Sequence, residues 1–290
     1  GGVKANLITN GWNITENLAK YLNQAGVSTV AISIDGDKNT HDKIRREGAF
    51  ERAKKSFEIL KAQDIYTASI TTVSKQNIHL LEKIKKELVS MGVDMWQLQL
   101  GLPMGNFSKH TDWMLEPCQM KDIIDFCYNT YMEGKIEVYP ADCIGYYSDK
   151  LSFVNNTRFG GWDGCNAGIH SFGVLHNGDI VGCTSVRDKS FIEGNIKERN
   201  LRDIWEDPNS FAWRRNFKKS NLTGDCAKCR YGDECLGGCS NSRLTTKGSI
   251  YSENLYCSFN NLMKEFRKKL KQFDDKDMLF NKAYECVESG

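Results

Sequence analysis

The segment 226-CAKCRYGDECLGGC-239 decides how the second half of this chain is built. Cys226 and Cys229 form a C-x2-C pair, Cys235 follows after five residues, and Cys239 after three more. Thiolates at such spacings can converge on one metal ion or iron–sulfur centre. Gly237 and Gly238 let the backbone bend tightly and leave amides able to donate to sulfur. Taken alone, the segment also reads as a zinc knuckle. Outward from it, Cys257 lies downstream, while Cys165, Gly178 and Cys183 upstream form C-x12-G-x4-C. Seven of the 11 cysteines thus make one ladder, too many for one four-coordinate ion and one short of filling two. The ladder points to two metal centres, one with an open or borrowed ligand position.

The odd cysteine number and the 290-residue length, which needs no disulfide staples, favour reduced thiols over a secreted disulfide framework. The opening GGVKANLITNG lacks a signal-peptide pattern. No run approaches the ~18 apolar residues of a membrane span. A reducing cytoplasm is the expected location. The net charge of +2 gives no reason to expect nucleic acid as a partner. Two basic clusters (Arg214, Arg215, Lys218, Lys219 and Lys264, Arg267, Lys268, Lys269, Lys271) read as solvated helix faces.

The first half alternates strand and helix. Strands are expected at Val3–Thr9, Ser28–Ile34, Ile65–Val73 and Asp94–Leu100, with helices marked by Leu18 and Leu22, by Phe57 and Leu60, and by Ile84 and Leu88. Such alternation implies parallel strands with chemistry at their C-terminal ends. Polar turns fall there: Thr9–Gly11, Ser33–Gly36, Ser74–Asn77 and Gly101–Asn106. Each is singly an ordinary βα turn. Four strands do not close a barrel. Glu116–Met132 is expected to be helical, with Cys127 in the core, and Lys135–Tyr139 a short extended piece.

From about Gly160 the texture becomes Gly- and Cys-rich. Asn177-Gly178 reads as a hairpin turn between Phe172–Leu175 and Ile180–Cys183, 201–217 as helical, and Leu255 to Leu270 as a last long helix with 274–290 beyond it. The five histidines are scattered, and His110 and His176 read as surface residues.

The seven-cysteine ladder resembles the SPASM domain of radical S-adenosylmethionine (AdoMet) enzymes, with Asn166 to Cys183, Ile192–Ile196 and Leu201–Trp205 typical of peptide-modifying members. Thr9-Asn10-Gly11, Ser33-Ile34-Asp35-Gly36, His41-Asp42 and Arg45 resemble the later strands of the radical AdoMet barrel. The resemblance implies an α/β fold: a partial (β/α) barrel over residues 1–145, a cysteine-rich α+β SPASM domain over 146–260 and a helical extension over 261–290. It implies two auxiliary [4Fe–4S] clusters, one held by Cys226, Cys229, Cys235 and Cys257, the other by Cys165, Cys183 and Cys239. The fourth ligand of the latter is Cys143, a substrate group or an open site. Thr9, Asn10, Ser33 and Asp35 would face AdoMet.

The expected activity is modification of a precursor peptide or protein side chain, with an external electron donor. Thr184 follows Cys183 where the sulfatase-maturing branch carries an acidic residue, which argues against that branch. The radical-generating C-x3-C-x2-C is missing from these residues; Cys235-x3-Cys239 continues to Ser242. We therefore expect AdoMet and a third [4Fe–4S] cluster only if an upstream segment supplies that triplet, and the start without Met favours one. The rival readings are a noncatalytic iron–sulfur or peptide-binding module and a zinc-stabilised structural domain.

Overall fold

The computed structural model describes residues 4–148, 150, 154 and 164–270. Five strands, β1 (Ala5–Thr9), β2 (Val27–Ser33), β3 (Tyr66–Val73), β4 (Met95–Leu100) and β5 (Glu137–Pro140), form one parallel sheet in the order of the chain. The four expected strands are present. The fifth is the piece read only as extended, and it pairs with β4 from Met95↔Glu137 to Leu98↔Pro140. The expected helices follow: α1 (Glu16–Gln24), α3 (Ala49–Lys61), α4 (Leu81–Ser90) and α5 (Met120–Glu133), with an extra short helix, α2 (Lys38–Ile44), after β2.

Side-chain alternation along the strands explains the layering. Val30 and Ile32 point into the main core with Phe57, Leu60, Ile84, Leu88, Trp96 and Ile123 from the helices and β4. Ala31, Ala68 and Ile70 form a small cluster with Met95. Two of these four are alanines, which suits the inner face of a narrow curved sheet. Trp96 is fully buried, and its indole N–H donates to Thr71 Oγ1 at 2.8 Å, so its polar atom is satisfied inside the core. Cys127 is also fully buried, and burial pushes its thiol up to about 12, as a packing residue requires.

The second half carries a three-stranded antiparallel sheet, β6 (Gly173–Val174), β7 (Asp179–Val181) and β8 (Ile192–Asn195). The hairpin turn falls at Asn177-Gly178 as expected, with Gly178 at φ +97 and Asn195 Nδ2 bonded to Asp179 Oδ1 at 2.9 Å. The stretch 201–217 is two helices, α6 (Leu201–Glu206) and α7 (Ala212–Arg215), because Pro208 cannot continue the first. Four more helices follow: α8 (Gly224–Ala227), α9 (Gly232–Cys235), α10 (Ser240–Lys247) and α11 (Ser258–Leu270). The expected helix over 274–290 lies outside the described residues. No helix among the described residues is long and apolar enough to cross a membrane.

The two halves are tied together. Tyr256 packs in the main core and donates its hydroxyl to Leu115 O at 3.0 Å, and Gly145 bridges to Cys257.

Candidate metal centres

Cys226 lies in α8, Cys229 just after it, Cys235 at the end of α9, and Cys257 immediately before α11. These four cysteines line one small pocket, together with Tyr146, Gly237, Asn254 and Asn260. The described cysteines are all free thiols. Donors already point at the sulfurs. Asn254 N–H and Asn260 Nδ2 reach Cys226 Sγ at 3.4 and 3.7 Å, and Asn260 N–H reaches Cys257 Sγ at 3.5 Å. The amides of Gly238 and Gly237 bond to Cys235, the role expected of the paired glycines. Cys257 precedes the N-terminus of the 13-residue α11, where the helix dipole favours negative charge.

Burial pushes the Cys235 and Cys257 thiols up to about 12, so they are neutral without metal and loading must release their protons. Among the described residues, no three His, Cys, Asp or Glu side chains converge as a site for one metal ion. A single zinc needs its sulfurs within about 4 Å of one another. Four cysteines lining one pocket, with amide donors directed at their sulfurs, fit an iron–sulfur group.

Cys239 caps the N-terminus of α10. Burial raises its pKa, and the thiols whose charge acts on it are Cys143, Cys165 and Cys183, within electrostatic reach of Cys239. Cys143 is buried just after β5, and its Sγ accepts from Leu100 N–H at 3.3 Å. The segment around Cys165 is held by arginines read as surface residues. Arg214 is 9% exposed and donates to Cys165 O at 2.7 Å, while Arg215 donates to Gly168 O at 2.9 Å and packs on Trp205. This corrects the solvated-face reading of that cluster. Lys264, in the other basic cluster, pairs with Asp225 at 3.0 Å on the surface.

Tyr146 and Asn254 form a seam between the two groups. The Tyr146 hydroxyl accepts from Cys239 N–H at 2.9 Å and from Asn254 Nδ2 at 3.1 Å, while Asn254 N–H serves Cys226. Tyr146 holds φ +125, a conformation costing about 1–3 kcal/mol that persists only where its surroundings fix it. Neither residue was legible in the sequence, since both act through contacts with cysteines far away along the chain.

A second cavity, open to solvent, lies at the C-terminal ends of β1–β4, where the turns were expected to carry function. Asn10, Asp35, Arg45, Arg46, Thr72 and Trp113 are among its lining residues. Asn10 and Asp35, two of the four residues expected to face AdoMet, are among them. Thr9 and Ser33 do not line it, and Thr9 Oγ1 instead accepts from Gly11 N–H at 3.2 Å within the turn. Asp35 is held on both carboxylate oxygens, by Arg45 Nε at 2.6 Å and Thr72 N–H at 2.9 Å. Its backbone is held by His41 Nδ1, which accepts from Asp35 N–H at 3.0 Å, and by Asn77 Nδ2, which donates to Asp35 O at 2.9 Å. His110 and His176 are exposed, as expected.

Burial pushes His41 down to about 4, against the upward pull of Asp35. The folded-state value lies below the unfolded value near 6.5, so the unfolded chain takes up the proton first. The contribution of a neutral His41 is complete above about pH 6.5 and is lost as pH falls toward 4, on the order of 3 kcal/mol at the limit. Urea midpoints measured between pH 7 and 5 will fall steeply for the wild type and more shallowly for His41→Asn. Equal slopes would remove His41 from this account.

Residues 165–230 match the iron–sulfur cluster-binding domain family SPASM, and residues 1–88 match the radical SAM superfamily. The fold thus belongs to the class of half-barrel proteins with an attached iron–sulfur domain. The chain is a member of the radical SAM superfamily that carries a SPASM domain. It is 28% identical over 271 residues to the AdoMet-dependent heme synthase of Methanosarcina barkeri, covering 89% of this chain and 75% of that protein. It is 25% identical over 265 residues to the cysteine-type anaerobic sulfatase-maturating enzyme of Clostridium novyi, covering 86% and 67%. Among solved structures, native anSMEcpe with bound AdoMet and Cp18Cys peptide superposes with a TM-score of 0.68 at 21% identity, covering 92% of this chain and 74% of that one, a likeness of fold.

Proposed function

We propose that this chain forms the partial barrel and auxiliary-cluster portion of a radical AdoMet enzyme that modifies a side chain of a precursor peptide or protein. The observation that carries the reading is the cavity walled by Cys226, Cys229, Cys235 and Cys257, with amides already directed at sulfur. Those four would hold one [4Fe–4S] cluster, and Cys165, Cys183 and Cys239 the other. When bound, such groups accept or relay single electrons or ligate a substrate group, and an external donor would supply the electrons. The protein's own part is to bury the ligands, direct donors at sulfur, and present Asn10, Asp35 and Arg45 at the strand ends, where AdoMet would lie.

The peptide class is supported by the anSMEcpe structure, which holds a peptide on the same fold. A tetrapyrrole substrate is the second reading, favoured by the similarity to the Methanosarcina barkeri heme synthase. The test uses the protein expressed at the full length of its reading frame, reconstituted and reduced, and given AdoMet with either a candidate precursor peptide or an iron porphyrin. The proposal expects 5′-deoxyadenosine formation with a mass change on the peptide. A mass change on the porphyrin alone would transfer the assignment to the second reading. Absence of AdoMet cleavage under every condition would leave a noncatalytic iron–sulfur module.

Cys143 is the foremost thiol acting electrostatically on Cys239, which supports it as our candidate for the fourth ligand. Mild oxidation of reconstituted Cys143→Ala is expected to give a three-iron EPR signal absent from the wild type. Equal signals from both proteins would give the fourth position to water or substrate.

A further inference from the structure

Arg243 lies in α10, one turn after Cys239, with 1% of its surface exposed. A guanidinium carries five donors, has no acceptor, and keeps its charge inside proteins. Among the described residues, Nη2 bonds to Ser240 Oγ at 3.1 Å, while Nε and Nη1 have no hydrogen-bond partner. One face is covered by the Phe217 ring, 5.0 Å from Cζ. Gly237 makes room for the other parts, since a Cβ there would fall 2.9 Å from Nη1. Gly237 itself lines the four-cysteine cavity. The acidic groups that act on the guanidinium are Tyr146, Cys226, Cys165 and Cys239, which belong to both halves of the ladder and to the seam between them.

A buried, unpaired charge is strongly destabilising, and breaking a buried pair is costly for that reason. In a protein whose cysteines are neutral thiols, the Ser240 bond and the Phe217 ring leave Arg243 Nε and Nη1, and hence its charge, uncompensated. An iron–sulfur cluster with thiolate ligands is anionic, and its reduced form is more so; net charge and hydrogen bonds to sulfur are the protein's means of setting its potential.

We propose that Arg243 is the internal counter-ion of the two cysteine-lined centres, with Nε and Nη1 donating to the sulfur of bound clusters and its fixed charge favouring their reduced state. The proposal rests on the iron–sulfur reading above and adds to it a positioning residue that the ligand ladder does not contain. It assigns α10 two tasks: Cys239 at its N-terminus ligates, and Arg243 one turn later balances charge.

The test compares full-chain wild type, Arg243→Met and Arg243→Lys, each as apoprotein and after anaerobic iron–sulfur reconstitution. Iron and sulfide counts on the wild type come first. If no iron–sulfur group binds, the reading beneath the proposal fails, and the proposal falls with it for that separate reason. With clusters bound, the apoprotein of Arg243→Met is expected to melt at or above the wild type, because it loses an unpaired charge. In the reconstituted protein, poised at the wild-type midpoint, its reduced-to-oxidised ratio by EPR is expected to fall about tenfold, which is ~59 mV for a one-electron couple. Arg243→Lys keeps the charge and is expected to stay within about twofold of wild type. An Arg243→Met apoprotein that melts lower or fails to fold would make Arg243 a structural strut and overturn the proposal. An unchanged ratio, or equal shifts in the Met and Lys variants, would overturn it as well.

Discussion

Cys235→Ala will leave the chain with one iron–sulfur centre instead of two, dropping bound iron from about eight to about four atoms per chain. Cys235 is buried, walls the cavity with Cys226, Cys229 and Cys257, and is the residue to which the Gly237 and Gly238 amides are directed. The thiols whose charge acts most on Cys239 are instead Cys143, Cys165 and Cys183. Two ligand sets that share no cysteine can be removed separately. Cys183→Ala should accordingly delete the other centre and spare this one. Iron and sulfide analysis with EPR of the reduced protein checks both variants. Loss of both centres in either variant, or full retention in Cys235→Ala, would mean that the cysteines are partitioned differently.

Gly238→Ala should be among the most damaging single-methyl changes in the protein. Gly238 has φ +70, where a side chain costs about 1–2 kcal/mol. A Cβ there would also fall 2.3 Å from Tyr146 Cζ, a contact that cannot exist. Forcing the ring aside adds about 1–3 kcal/mol of overpacking. The sum is roughly 2–5 kcal/mol. Displacement of Tyr146 also removes the hydroxyl that Cys239 N–H and Asn254 Nδ2 share. The damage should therefore appear twice, as a lowered urea midpoint of the apoprotein and as poorer iron retention at the centre assigned to Cys165, Cys183 and Cys239. A change within about 0.5 kcal/mol, the range of an ordinary surface substitution, would contradict the packing described around Tyr146.

The elements that the sequence announces are those whose signals are local. The first four strands each carry a β-type apolar stretch closed by a polar turn, and the ladder is a set of spacings; β1, expected to be buried, is instead an exposed edge strand of the sheet. β5 is only Glu137–Pro140, too short for a periodic signal and ending in proline; it is a strand because β4 offers an edge. The helix expected through 217 fails at Pro208, and Phe211 beyond it adopts φ +57 before α7 begins. At the strand ends, four turn residues looked equivalent. The fold separates them: Asn10 and Asp35 line the cavity, while Thr9 and Ser33 do not. Residues that support the ladder were silent for a different reason. Tyr146, Asn254 and Arg243 become meaningful only when chain folding brings them to cysteines of both groups. Arg214 and Arg215 read as surface charge in the sequence because nothing nearby in it announces the carbonyls of Cys165 and Gly168 that they hold.

The central claim is that the ladder holds two auxiliary [4Fe–4S] clusters. Anaerobic reconstitution followed by iron, sulfide and zinc analysis, with Mössbauer spectroscopy on the same sample, tests it most directly. The account predicts about eight iron and about eight sulfide per chain, all in four-iron clusters and with no stoichiometric zinc. Stoichiometric zinc without iron, surviving reconstitution, would contradict it.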